Sequence, residues 1–338
     1  MTVNQYFPAV SNVPAAETVP APTLADAGPP SSRLYEPTLT IMHPDWVNKA
    51  VFSSDGSLLA TACHDGSVRL WNATTSVMVR RFKAPDQFSV DDVVFSPDNS
   101  VIAAATSRYK PFAASLMVWK VKTGELVHET EYGGYIQSLE FLPMTGDLVS
   151  AEANGKLKVW NTDRWTFTEP DVMTDEWIEQ MVLSPDGKFL AFRVRGRTVP
   201  ICELRGGFHI VRRLRSDEEE NRARCIAFCA DGRLAVAWNR KIGLSNVTDN
   251  LPQVLLDDPG DILSLASCAD PELLVCGTIG GNVVPVDLRS GPLFDDLLPL
   301  HDRRVLSVAF SPDGRRIVSS SDDCSVRLYS LQRGIRSS

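Results

Sequence analysis

The stretch His301–Leu331, HDRRVLSVAFSPDGRRIVSSSDDCSVRLYSL, decides the fold. Leu306, Val308 and Phe310 alternate with the smaller Ser307 and Ala309, which is the period of a strand. Ser311-Pro312-Asp313-Gly314 then supplies a turn, with Pro presetting one dihedral and Gly accepting the positive φ that closes it. A second strand follows over 316–321, a tight turn at Asp322-Asp323-Cys324, and a third strand over 325–329. Three short antiparallel strands cannot bury both faces alone, so such a unit has to stack on copies of itself.

The copies are present. The turn recurs at Phe52–Gly56, Phe95–Asn99, Phe141–Gly146, Leu183–Gly187, Phe228–Gly232 and Ser267–Pro271, which with Phe310–Gly314 makes seven. Their spacing of about 43 residues is that of a four-stranded propeller blade. Within the first copy, HDGSVRLWN (His64–Asn72) resembles the third-strand signature of the WD-repeat β-propeller family, and the resemblance extends from about Tyr35 to the end of the chain. It implies an all-β, seven-bladed propeller of four-stranded antiparallel blades over residues 34–338. It also implies that Glu36–Ile41 supplies the fourth strand of the last blade, closing the ring. Residues 1–33, rich in Pro and Ala and nearly uncharged, bury too little apolar surface to offset the entropy of ordering and are expected to form a disordered tail.

The resemblance further implies a buried hydrogen-bonded set in each complete blade: a His before the first strand, a Ser or Thr on the second, an Asp in the next turn and an aromatic on the third. His43, Thr61, Asp65 and Trp71 match it in blade one. His301, Ser319, Asp323 and Tyr329 match it in blade seven, where Tyr replaces the usual Trp. Blades two and three keep Trp119 and Trp160 but carry Ala113 and Asn154 at the Asp position. Blades four to six lose the aromatic, to Cys202, Ser245 and Val286.

His, Ser and Asp together also invite a hydrolase reading, but each set repeats by blade and no GxSxG elbow occurs. The 5 histidines show no metal-ligand spacing, and Cys225 and Cys229 have the parity of core residues. The expectation is therefore no catalytic residue, no metal and no cofactor. A net charge of −8 argues against direct binding to nucleic acid, and no apolar run is long enough to span a membrane. The 7 scattered cysteines, without a CxxC, fit reduced thiols in the cytoplasm or nucleus.

What remains is surface. The loops before the first strand and between the second and third strands line one face and the channel mouth of such a fold. The expected partner-binding face comprises Trp46, Tyr109, Phe112, Tyr135, Trp177, Arg195, Arg197, Trp238 and Arg240, aromatics and arginines being the usual anchors of an interface. The acidic Ser216–Asn221 falls near its basic part. The function read from this is a non-catalytic scaffold or adaptor for proteins or peptides, with a histone- or nucleic-acid-associated propeller as the alternative.

Overall fold

A computed structural model describes residues 35–109, 112–172, 174, 176–215, 222–238, 240–248, 261–289, 298 and 300–331, and the backbone alone at 18–20, 253–257 and 291–292. Among the described residues the strands form seven antiparallel sheets, one per repeat. Their first strands are Val47–Phe52, Ser89–Phe95, Ile136–Phe141, Ile178–Leu183, Ala223–Phe228, Ile262–Ser267 and Val305–Phe310. These meet their neighbours in an unbroken cycle around a central channel, with the last against the first.

The sequence explains why each blade needs two neighbours. In blade one the second strand, Leu58–Cys63, is buried at nearly every residue, because a pleated strand sends successive side chains to opposite faces and both faces are covered. Ala60 and Ala62 pack toward blade two with Ile102 and Met117, whereas Leu59 packs toward blade seven with Val318 and Val326. Each described apolar cluster joins one such pair, and the pairs run right round the ring. Burial between blades is the main source of stability.

The ring closes with the N-terminal strand. Tyr35–Met42 runs antiparallel to Ser325–Leu331, pairing Tyr35 with Leu331 and Met42 with Ser325. A bulge between Pro37 and Leu39 accommodates the proline, which has no N–H to give the ladder. Of the segment expected to be a disordered tail, the backbone of Thr18–Pro20 adds a short strand outside Leu39–Ile41, and the remainder lies outside the described residues.

The recurring turn works through its serine and aspartate. Ser53 Oγ donates to Asp55 Oδ1 at 2.6 Å and accepts from Leu58 N at 2.9 Å. The same pattern recurs at Ser96/Asp98, Ser184/Asp186 and Ser311/Asp313. Gly314 has a φ of +67°, a conformation that a side chain disfavours.

Candidate binding site at the channel mouth

The same contact recurs at one end of the ring. A backbone N–H from the loop after the second strand donates to a carbonyl in the loop before the first strand. It joins His64 to Trp46 (2.8 Å), Ala153 to Tyr135 (2.9 Å), Arg195 to Trp177 (2.9 Å) and Ile279 to Asp261 (2.8 Å). These paired loops form the rim of the channel mouth.

The rim residues fall into two groups. Over blades one to three, Trp46 lies 5.4 Å from the His64 ring, and Phe112 meets Tyr135 edge-on at 4.5 Å. Tyr109 is 70% exposed and Phe112 43%. Acidic groups intersperse them: Asp45 bonds His64 Nδ1 at 3.2 Å, and that bond, against the effect of burial, raises the imidazole pKa above its ordinary value. Asp91 is held between Ser89 and Ser107, with burial raising its carboxyl.

Over blades four and five the rim is basic. Arg193 and Arg195 stand at the end of one strand, and Arg222 and Arg224 at the start of the next blade. These four residues line a pocket of about 500 Å³ together with Glu179, Val194 and Ala223. Glu179 binds both Arg193 and Arg195, the latter at 2.9 Å. The Arg195 guanidinium lies 3.9 Å above the Trp177 ring. Arg197 and Arg240 are exposed nearby in sequence, and Ser216–Asn221 lies outside the described residues.

One expected member of this face is elsewhere. Trp238 is 4% exposed and packs with Ile226, Leu234 and Val199 in the core between blades four and five. It pairs with Lys241 across a two-residue turn, which makes it the last strand residue rather than a loop residue.

The polar sets differ between blades. In blade seven His301 Nδ1 lies 2.8 Å from Asp323 Oδ2, His301 Nε2 lies 2.7 Å from Ser319 Oγ, and Ser319 Oγ lies 3.4 Å from the Tyr329 hydroxyl. Against the effect of burial, His301 and Ser325 hold the Asp323 carboxyl far below its usual range. In blade one Trp71 Nε1 donates to Thr61 Oγ1 at 3.1 Å and His43 Nε2 is 3.0 Å from the same oxygen. Asp65, expected to accept from His43, instead pairs with Arg69 Nη2 at 2.5 Å and with Arg81 at 3.4 Å. Arg69, itself 3% exposed in its side chain, is a stronger competitor for the carboxylate than a neutral imidazole. Burial and the Arg69 charge push the His43 pKa down to about 3, so that ring is neutral.

Blade three holds a set that the motif reading missed. Tyr132 precedes its turn by the same nine residues as His43 and His301 precede theirs. Its hydroxyl lies 2.9 Å from Ser150 Oγ, which also accepts from Trp160 Nε1 at 3.0 Å. Where the aromatic is lost, in blades four to six, the hydroxyl position is lost with it: Phe192, Val236 and Cys276 pack there instead. In blades four to six the hydroxyl and the aromatic are lost together, whereas blade two keeps Trp119 but carries Ala104 at the hydroxyl position. All members of the polar sets are buried or nearly so, and the His301 nitrogens are taken up by Ser319, Asp323 and Ser325, which leaves no nucleophile open to solvent.

Farther down the channel, side chains of the inner strands bridge to the next blade. Asp92 Oδ2 accepts from Leu139 N at 2.8 Å, and Ser138 Oγ from Met181 N at 3.1 Å. Gln180 bonds both the N–H and the carbonyl of Ile226 at 3.1 Å. Lys49 pairs with Asp92. Beside them Glu140 is pushed up to about 7 by burial, with Lys49 opposing and Asp92 adding to the effect. Glu140 therefore holds a proton in the folded chain between its ordinary 4.5 and about 7, and the stability this contributes is lost as pH rises through about 7. Glu140→Gln is expected to stabilise the protein by about 1–2 kcal/mol at pH 8 and to change little at pH 5, as read by chemical denaturation at the two pH values. Equal effects at both would contradict this.

Among the described residues no group of three His, Cys, Asp or Glu could hold a metal ion, and no helix is long and apolar enough to cross a membrane. Cys225 and Cys229 both lie in the core between blades five and six.

Comparison with known proteins agrees with this geometry. The family model for the WD domain, G-beta repeat, matches residues 35–72 and 296–330, the two ends that meet at the ring closure. A guanine nucleotide-binding protein subunit beta from Solanum tuberosum is 26% identical over 60% of this chain and 57% of its own length. Apoptotic protease-activating factor 1 from Mus musculus is 23% identical over 84% of this chain. A homolog of U3 small nucleolar RNA-associated protein 15 from Xenopus tropicalis is 23% identical over 68% of this chain and 44% of its own length. The chain spans 23% of the length of the mouse protein and 57% of the potato one.

Proposed function

We propose, for a chain that belongs to the WD-repeat β-propeller family, a non-catalytic platform that docks a peptide or partner domain across the channel mouth. The observation that carries this reading is the exposure of large aromatics at the mouth: Tyr109, Phe112 and Trp177 are 70%, 43% and 42% exposed on loops held by a closed ring. Aromatics on a rigid scaffold bury much area on binding at little entropic cost. The acidic groups over blades one to three and the arginines over blades four and five add a charge pattern that orients the partner and excludes others. Proteins or peptides are therefore the partners, within a larger assembly. The cytoplasm or nucleus is the compartment, in keeping with 7 scattered cysteines that form no CxxC motif.

The test is capture of the native partner by two variants. Tyr109→Ala/Phe112→Ala/Trp177→Ala and Arg195→Glu/Arg197→Glu/Arg240→Glu are each expected to reduce partner recovery about tenfold or more. Both should fold, since exposed turn positions typically change stability by only about 0.5 kcal/mol each. Full recovery with both variants would remove the mouth as the docking face.

A further inference from the structure

We propose that residues 1–17 of this chain fold back in cis over the channel mouth, where Tyr6 and Phe7 pack on the aromatic rim above blades two and three and compete with the docked partner. This rests on the platform reading above and adds a regulator to it.

The backbone fixes where that segment leaves the ring. Thr18 pairs with Ile41, Val19 with Thr40 and Pro20 with Leu39, so the two runs are antiparallel. Toward lower numbers the chain therefore continues past Ile41 in the direction of Met42, the last residue of the closing strand. Met42 leads into residues 43–46, the loop whose Trp46 carbonyl accepts from His64 N at 2.8 Å on the rim of blade one. Residue 17 thus emerges on the side of the mouth. The Ser-Asp-Gly turns, which follow the first strands, lie at the opposite end.

Residues 1–17 lie outside the described residues, but their composition and length define what they can reach. MTVNQYFPAVSNVPAAE carries a single charged side chain, Glu17, and sets Tyr6-Phe7 among Val3, Val10 and Val13. Such a segment suits an aromatic surface rather than a charged one. The mouth offers one in the exposed Phe112, which meets Tyr135 edge-on at 4.5 Å, with Tyr109 three residues before it. A second set of exposed apolar side chains, Met78, Leu126 and Phe167, lies where the outer strands begin, away from the side on which residue 17 leaves. Phe7 stands eleven residues before Thr18, and an extended chain of that length reaches roughly 34 Å. A globular domain of about 300 residues has a radius of gyration near ~20 Å, so the segment can cross from blade seven to blades two and three. Tethering presents it at an effective concentration of about 1 mM, and an intrinsic Kd of about 0.25 mM then lowers a competitor's apparent affinity about fivefold. A contact so weak yields to a partner with further contacts, and its removal barely alters the melting curve.

The experiment uses the full chain with the photoreactive residue p-benzoylphenylalanine at position 7. Irradiation is expected to give an intramolecular cross-link to residues 107–113 or 133–135, read by mass spectrometry on the monomer. Cross-links confined to the outer strands Met78–Lys83 or Leu126–Tyr132, or none at all, would overturn the proposal. A cross-linked dimer would overturn the contact in cis and assign the segment to a second copy. The functional arm titrates the co-purified partner against wild type and Tyr6→Ala/Phe7→Ala. The variant is expected to half-saturate at about fivefold lower partner concentration, and a peptide of residues 1–17 added at about 1 mM should reverse the gain. Unchanged or weaker capture by the variant would overturn the proposal. If Tyr109→Ala/Phe112→Ala/Trp177→Ala loses the partner while Tyr6→Ala/Phe7→Ala binds as wild type does, the platform stands and the cis contact falls. If the triple variant keeps the partner, the platform reading itself fails.

Discussion

Deletion of residues 1–42 is expected to lower the melting temperature by roughly 10 °C or more and to cause aggregation, whereas deletion of residues 1–33 should leave it nearly unchanged. The longer deletion removes the closing strand. Tyr35 and Ile41 are each 1% exposed, and the Tyr35 hydroxyl donates to Gly314 O at 2.6 Å across the blade. Burial of two such side chains is worth about 1.5–3 kcal/mol each. Their loss would also strip the ladder from Ser325–Leu331, leaving an exposed edge beside the core between blades six and seven. The total is on the order of 5 kcal/mol or more, a large fraction of ordinary domain stability. Among the described residues the shorter deletion removes the short pairing of Thr18–Pro20 with Leu39–Ile41. Differential scanning fluorimetry with size-exclusion chromatography reads both, and indistinguishable behaviour of the two truncations would contradict the closure.

The second large effect is at Asp65. Asp65→Ala is expected to destabilise by about 3–5 kcal/mol, because it leaves the buried Arg69 charge without its counter-ion. Asp323→Ala should cost less, about 1–3 kcal/mol, since it removes hydrogen bonds to His301 and Ser325 and strands no permanent charge. The double variant Asp65→Ala/Arg69→Met should recover much of the loss. Burial alone would raise both carboxyls, but Arg69 and His301 respectively hold them below the usual value. Their contributions are therefore present above the ordinary carboxylate range and lost as pH falls through the depressed values. Urea denaturation of the three variants measures this. A loss below about 1 kcal/mol for Asp65→Ala would mean that Arg69 finds compensation elsewhere.

The parts of the fold legible in the sequence were those written in local pattern. Seven Ser/Pro-Asp-Gly-like turns, strands of period two and an unpaired third strand at the C-terminus lead directly to blades and a closing strand. What failed depended on side-chain competition or on exact strand ends. Asp65 sits where the motif puts a partner for His43, yet a charged Arg69 four residues on outcompetes the ring. Trp238 reads as a loop aromatic until its pairing with Lys241 shortens the turn and turns the indole into the core. Tyr132 escaped notice because it is not a histidine, although counting nine residues back from Phe141 would have found it. The arginine pocket draws on residues almost thirty positions apart, so neither pair alone marks a site.

Hydrogen exchange of the chain with and without its co-purified partner tests the central claim, docking across the mouth, most directly. The account predicts slowed amides at 45–47, 64–66, 133–135, 176–178 and 195–197, the paired loops of the rim. The turns at Ser53–Gly56, Ser96–Asn99 and Ser311–Gly314 and the outer strand Met78–Lys83 should exchange as in the free protein. Protection at those turns or at that outer strand, with none on the rim, would contradict it.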